Sequence, residues 1–292
     1  SFFSNSEWIL IMKYIYKIVF LSFLVFSTNL ILTNDSKAAC AKVGEVIKAA
    51  AALASCQDEP DGYGIVAFKL YLCTAAPTSP TIARVTDLSN CVMTFENTAG
   101  SSLTLSTDGE VDLGGTQTRP PSGTYTHAVM HMDNTFALTA KKEFGVAFNG
   151  ESAGLGVFCV TNNGAGTSGS AGNAGNDRST CGDNTLTAGT YTETLTSFDN
   201  PIFSATATEL NVAGTGSNIT AHLLDTNEFL AVNDADVDTL LGIVEFASAA
   251  TITENTENIE ISFNVGEGMS IDGAGLIMFF GSGPFQATVS TN

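Results

Sequence analysis

Val43, Ile47, Ala50 and Ala54 recur at helical spacing, which predicts a helix over residues 41–55. From there the pattern changes to two-residue alternation. Residues 65–72 (IVAFKLYL) read as a strand. Residues 92–95 and 102–105 follow, with Asn97-Thr98-Ala99-Gly100 as the turn between them, and Asp108-Gly109 marks another turn before the alternating run 110–113. Residues 125–132 alternate again, 136–148 supply one or two further strands, and the rhythm returns beyond Cys181 to end in 259–263 and 276–280. Short strands between Gly, Asn and Asp turns indicate an all-β protein. The architecture expected is an antiparallel β-sandwich over residues 59–292, preceded by a short N-terminal helix within 39–58.

One internal echo bears on domain organisation. Gly123-Thr124-Tyr125-Thr126 reappears as Gly189-Thr190-Tyr191-Thr192, followed at equal distance by Asp133-Asn134 and Asp199-Asn200. Phe136-Ala-Leu-Thr-Ala likewise resembles Phe203-Ser-Ala-Thr-Ala. A duplicated group of strands would give one sandwich with two related halves and a boundary near residue 182. Two tandem sandwiches are the second arrangement, and chance recurrence in a Thr-rich β protein is the third.

Ahead of the β region, residues 1–11 precede Met12 and read as translated upstream sequence. Lys13 and Lys17 then supply a basic region and residues 18–26 (IVFLSFLVF) an apolar one, while Ser36-Lys37-Ala38 places small residues for cleavage after Ala38. This is the pattern of a secretory signal peptide. Leu30-Ile31-Leu32 prolongs the apolar character, so an uncleaved anchor is the alternative, but Ser27, Thr28 and Asn29 interrupt a span that needs about 20 apolar residues. Lys37 also stands where a lipoprotein signal wants an aliphatic residue, which argues against a lipid anchor on Cys40.

Composition narrows the partners. Asp and Glu number 30 against 11 Lys and Arg, and a formal charge of -19 repels nucleic-acid phosphate, so no nucleic-acid partner is expected. An apolar fraction of 44% is enough to bury a core and rules out a fully disordered chain. All six cysteines lie beyond the leader, and an even set in an exported chain reads as three disulfides. Cys73 with Cys91, and Cys159 with Cys181, each flank a loop and pair locally. Cys40 and Cys56 are left over, and a continuous helix would hold them about 24 Å apart, whereas a disulfide wants its Cα atoms within about 7 Å. Either that helix is broken or these two pair elsewhere. No CxxC spacing supports zinc.

Candidate chemistry is sparse. Gly164-Ala-Gly166-Thr-Ser-Gly169 satisfies GxGxxG but lacks a strand-to-helix context, and reads as a flexible, disulfide-closed loop. His127 and His131 share a strand face about 13 Å apart, too far to share a metal, and His222 has no partner visible in the sequence. There is no GxSxG elbow, and no enzyme activity is expected. The sharpest site pattern is Asp234, Asp236, Asp238 and Glu245, which fall at positions 1, 3, 5 and 12 of an EF-hand-like spacing for calcium, with Asp225 and Glu228 nearby as further ligands. Thr239 stands where that loop needs glycine, and residues 240–244 read as apolar strand, so a solvated acidic turn is the competing reading.

Glu110-Val-Asp-Leu followed by Pro120-Pro-Ser-Gly-Thr-Tyr-Thr resembles the strand-turn-strand signature of prealbumin-like and Cna B-type surface domains, in which a Pro-Gly turn feeds a strand through a Tyr. The resemblance covers some 30 residues (from 110 onward) and implies bacterial surface display with a stalk or scaffold role. It brings no catalytic residues, and no Lys/Asn pair here matches an isopeptide bond. The function expected is an exported structural or adhesive surface protein, a filament or coat subunit, self-associating through β edges or binding other surface proteins or glycans. A secreted carbohydrate- or calcium-binding module is the alternative, weakened by the loss of Trp8 with the leader, which leaves only Tyr63, Tyr71, Tyr125 and Tyr191 beside the Phe residues. A secreted hydrolase comes third, with no residues to name.

Overall fold

The structure, a computed structural model, describes residues 38–106, 113–174 and 177–291. Apart from Ala38 and Leu113, the expected leader and the turn and strand expected at 108–113 lie outside these residues. The chain opens with β1 (Lys42–Val43), β2 (Val46–Ile47), a helix α1 (Ala49–Leu53) and β3 (Cys56–Asp58). Two long strands follow, β4 (Gly62–Cys73) and β5 (Cys91–Leu105), then β6 (Thr116–Gln117), β7 (Gly123–Asp133), β8 (Thr135–Thr139) and β9 (Lys141–Gly150). The middle holds β10 (Leu155–Thr161), β11 (Gly164–Gly169), β12 (Gly172–Ala174), β13 (Ser179–Gly182), β14 (Tyr191–Leu195) and β15 (Thr206–Glu209). Last come β16 (Asn218–Leu224), β17 (Thr239–Ile252), β18 (Ile259–Asn264), β19 (Met269–Asp272), β20 (Ile277–Ser282) and β21 (Gln286–Thr291).

Eleven strands form a large sheet along β12-β11-β14-β8-β4-β7-β17-β16-β15, with β5 and β6 attached through β4. Eight form a smaller sheet along β1-β2-β9-β20-β19-β3, with β10 and β13 attached through β9, and β18 pairs with β21 as a ribbon. The all-β sandwich expected from the alternation is what forms. Pairing is antiparallel except between β2 and β9, β9 and β20, and β11 and β14. Residues on both sides of position 182 contribute to both sheets, and Ser36–Asn292 clusters as one compact unit. The two Gly-Thr-Tyr-Thr segments do not occupy equivalent places. β7 pairs with β4 and β17, whereas β14 pairs with β8 and, in parallel, with β11.

β4 organises the large sheet. It pairs along one side with β5, and along the other with β8 at residues 62–64 and β7 at residues 67–73. Its alternation changes phase in the middle: Tyr63, Ile65 and Ala67 are buried, and so are Leu70 and Leu72. The register shift between Ala67 and Lys69 makes Phe68 a bulge against β7, while on the other side residues 97–100 of β5 lie opposite it. Without it Lys69 would follow Ala67 into the core. With it, Lys69, Tyr71 and Cys73 face outward.

The inward face packs against the ribbon, with Phe263, Val265 and Ala287 in one cluster with Tyr63, Phe95, Leu103 and Tyr125. A second cluster fills the small sheet, where Phe144, Phe148, Met278 and Phe280 meet Ala52 of α1. The outward face of the large sheet carries a third, with Val129, Leu224, Leu241 and Ile243 below Leu88. Between the sheets, the buried carboxylate of Glu193 on β14 accepts hydrogen bonds from the Ser168 hydroxyl on β11 and from the Ser282 backbone N–H on β20.

The helix expected over 41–55 is cut to five residues. Gly44 adopts φ 60, which lets β1 turn back onto β2, and the β-branched Val43, Val46 and Ile47 take the extended conformation. Only the alanine run 49–53 is helical, and Ser55 at φ 59 ends it. This compact path brings the Cα atoms of Cys40 and Cys56 to 4.9 Å and permits their disulfide. The other two pairs are those expected, Cys73–Cys91 and Cys159–Cys181, each joining residues directly opposite on neighbouring strands.

Tyr125 explains locally why a Gly-Thr-Tyr-Thr segment can anchor a strand. Its ring is buried at the start of β7, and its hydroxyl donates to the Pro121 carbonyl at 2.8 Å, closing a tyrosine corner. Tyr125→Phe keeps the ring and removes that bond, so an equilibrium denaturation midpoint should fall by the equivalent of about 1 kcal/mol with an unchanged slope. An unchanged midpoint would show that the corner holds nothing.

Candidate functional site

Read across the large sheet in register, one row of the outward face runs Thr206, His222, Leu241, His131, Lys69 and Glu96, from β15 to β5. Directly paired residues project to the same side. Another row carries Asn218, Glu245, His127 and Cys73. All three histidines of the chain therefore lie on one face. His131 and His222 are two strands apart with Leu241 between them, about 10 Å, and do not share a ligand.

Two loops roof this face. The segment between β4 and β5, stapled by Cys73–Cys91, folds as a hairpin through Thr78 with Asp87 and Thr81 with Arg84, and the Leu230 N–H donates to its Thr81 carbonyl at 3.1 Å. The β16–β17 connection begins with a tight turn. Asp225 Oδ1 accepts from the N–H groups of Asn227 at 2.8 Å and Phe229 at 2.9 Å, and Glu228 sits at φ 62. Between roof and sheet lies a small cleft, open to solvent, with a cavity volume of about 30 Å³, room for little more than bound water. Leu88, Leu224 and Leu241 give it apolar walls, and Lys69, Tyr71, Thr86, His131 and Glu228 give it polar ones.

Glu228 Oε1 lies 3.3 Å from Lys69 Nζ and 3.9 Å from His131 Nδ1, while His131 Nε2 is 2.8 Å from the Thr239 hydroxyl. Phe68, the bulge residue, stacks edge-on against the His131 ring at 5.8 Å. Burial works against the Lys69 charge, but the Glu228 carboxylate outweighs it and holds the ammonium above the usual lysine range. Burial lowers the His131 pKa despite Glu228, and raises that of Tyr71. At neutral pH the cleft thus holds one ammonium against one carboxylate, a neutral imidazole and a neutral phenol. Thr86 Oγ1 is buried without a hydrogen-bond partner.

The carboxylates expected to gather around calcium do not converge. Asp234 is committed to protein donors, taking the Ser170 N–H at 2.8 Å, the Thr196 hydroxyl at 2.9 Å and the Ser170 hydroxyl. Asp236 accepts from the Asn233 amide at 2.6 Å. The backbone N–H of Asp238 donates to Leu224, and Glu245 accepts from the Asn218 amide at 2.8 Å. Thr239 opens β17 in extended form, so Glu245 is carried about 20 Å along the strand. No group of three or more His, Cys, Asp or Glu side chains among the described residues could hold a metal ion. The Gly-rich tract expected as a loop contains β11 and β12. Its Gly169 has a specific role, since a Cβ there would come within 2.3 Å of Asp234 Oδ1.

Sequence reasoning named Glu228 and His131, and Tyr71 among the few aromatics left to a carbohydrate-binding module, but missed Lys69 and Thr86. The one available signal was the lysine interrupting an apolar run at the bulge. Comparison with protein-family models, with curated proteins and with solved structures finds no match to this chain.

His222 yields a pH prediction. It is buried, its Nε2 has no hydrogen-bond partner, and burial pushes its pKa from 6.5 down to about 4. The unfolded chain then binds the proton more readily than the folded one. Stability is fully present above pH 6.5 and is lost as pH falls towards 4, by about 3 kcal/mol from this group. Melts of His222→Gln should lose that part of the acid sensitivity, and identical pH profiles for variant and parent would refute the assignment.

Proposed function

We propose that this chain is an exported structural or adhesive surface protein, folded in an oxidising compartment and able to associate with copies of itself through sheet edges. The observation that carries this reading is the set of three disulfides, with no free cysteine among the described residues. Such staples persist outside reducing compartments. The leader-like pattern ending at Ala38 supports the same reading, as does the resemblance of the stretch from Glu110 onward to bacterial surface domains. Support for self-association comes from the sheet ends. β15 is the last strand of the large sheet, and β18 and β21 pair only with one another among the described residues. Edges of this kind can accept a further strand.

Two measurements separate the parts of this proposal. Alkylation of the native protein should modify none of the six cysteines before reduction and all of them after it. Modification without reductant would remove the argument for export. Negative-stain imaging of concentrated native protein should show filaments or ordered arrays. Dispersed monomers would remove self-association while leaving export standing.

A further inference from the structure

The three disulfides are not equally sheltered. Cys159 and Cys181 are 0% and 2% exposed, and Cys40 and Cys56 are 8% and 3%. All four lie within the core of the small sheet. Cys73 is fully buried too, but its partner Cys91 is only half-buried. The position of this bond also differs in kind. It closes the base of the loop 74–90, and both cysteines belong to the contact between that roof and a floor of Val129, Leu224, Leu241 and Ile243.

Little else holds the roof down. Of residues 74–90 only Pro80 is buried. The backbone bonds of Thr74 to Asn90, Thr78 with Asp87 and Thr81 with Arg84 run within the loop, and one more arrives from Leu230 on the neighbouring loop. Thr86 keeps a buried hydroxyl that finds no partner, which is a cost of the closed state. A segment with so few buried contacts opens locally at low free energy once its tether is cut.

We propose that Cys73–Cys91 is a redox latch, which a dithiol reductant opens ahead of the other two disulfides, freeing the roof from the sheet. The incoming thiolate attacks Sγ of Cys91, the accessible end, and the S–S bond breaks with Cys73 as the leaving thiolate. The departing sulfur is not stranded among apolar side chains, because His127 stands opposite Cys73 across the β4–β7 pair and shares its face. Cys73 takes up a proton. The second thiol of the reductant then displaces Cys91 from the mixed disulfide. Two electrons pass to the protein, which gains two thiols, and the dithiol leaves as its own disulfide. The latch presupposes an oxidised chain, as the export reading does, but it does not depend on self-association.

The test is timed reduction of the native full chain with dithiothreitol, quenched by iodoacetamide and mapped by peptide mass. Cys73 and Cys91 should acquire label together, about tenfold sooner than the other four, because exchange follows access to the sulfur. Hydrogen exchange supplies the conformational readout. In Cys73→Ser combined with Cys91→Ser, the amides of Thr78, Thr81, Asp87 and Leu230 should lose protection, while those of Val129 and Ile243 keep it. If that variant fails to fold, the same amides are followed in the parent held at the stage where only Cys73 and Cys91 accept label. Opening of either other disulfide as early as Cys73–Cys91 overturns the latch, and so does unchanged protection of the loop after its bond is lost. Label on all six cysteines before any reductant removes the export reading and the latch together, whereas label that follows reductant in no order removes the latch alone.

Discussion

Between Ala67 and Lys69 the central strand of the large sheet carries one residue more than β7, while on its other side residues 97–100 of β5 stand opposite Phe68, and the sheet depends on that irregularity for its two-sidedness. Before the bulge the odd-numbered positions of β4 face the ribbon; after it the even-numbered ones do. The switch allows a nearly continuous apolar run to serve an inner core at both ends and still turn Lys69 and Tyr71 outward. β7 and β5 take their register from β4, and β17 and β16 take theirs from β7 in turn. The row from His222 to Glu96 is therefore a consequence of where Phe68 was placed. Phe68 also packs against His131, so the residue that creates the row helps to fix one of its members.

Much of the architecture was legible in the sequence because alternation and turn chemistry are local properties. The strand at 65–72, the β character beyond Cys181 and the two local disulfides needed only neighbouring residues. The helix over 41–55 failed because four apolar positions fit a helical period while glycine at 44 and β-branched neighbours favoured a hairpin. The tract from Gly164 read as a loop because glycine weakens strand propensity, yet there it lets another segment approach closely. The cleft was the least legible part. Lys69, Thr86, His131 and Glu228 come from four separate segments, and only the register brings them together.

The acidity of the chain takes on a different meaning in the structure. Glu193 joins the two sheets, Asp234 ties the β16–β17 connection to the residues that follow β11 and β14, and Asp58 receives Lys42 at 2.7 Å and Lys142 at 3.6 Å. Glu151 grips Arg178 through two bonds of 2.7 and 2.9 Å, with the guanidinium stacked 4.8 Å from the Phe279 ring. These carboxylates act as acceptors for donors inside the protein, in places where strands leave backbone N–H groups and hydroxyls to be satisfied. A sequence motif built from acidic spacing alone is a poor guide to metal binding where carboxylates are used in this way.

The pairing of β3 with β19 joins residues 56–58 to residues 269–271, and β9 runs beside both β2 and β20. The small sheet therefore cannot close until nearly the whole chain is present. Until then β3 lacks its partner β19 and β9 lacks β20, and long-range pairing of this sort forms slowly. The same topology makes the folding of the small sheet depend on contacts more than 200 residues apart, so this part of the fold is the last that local sequence can organise.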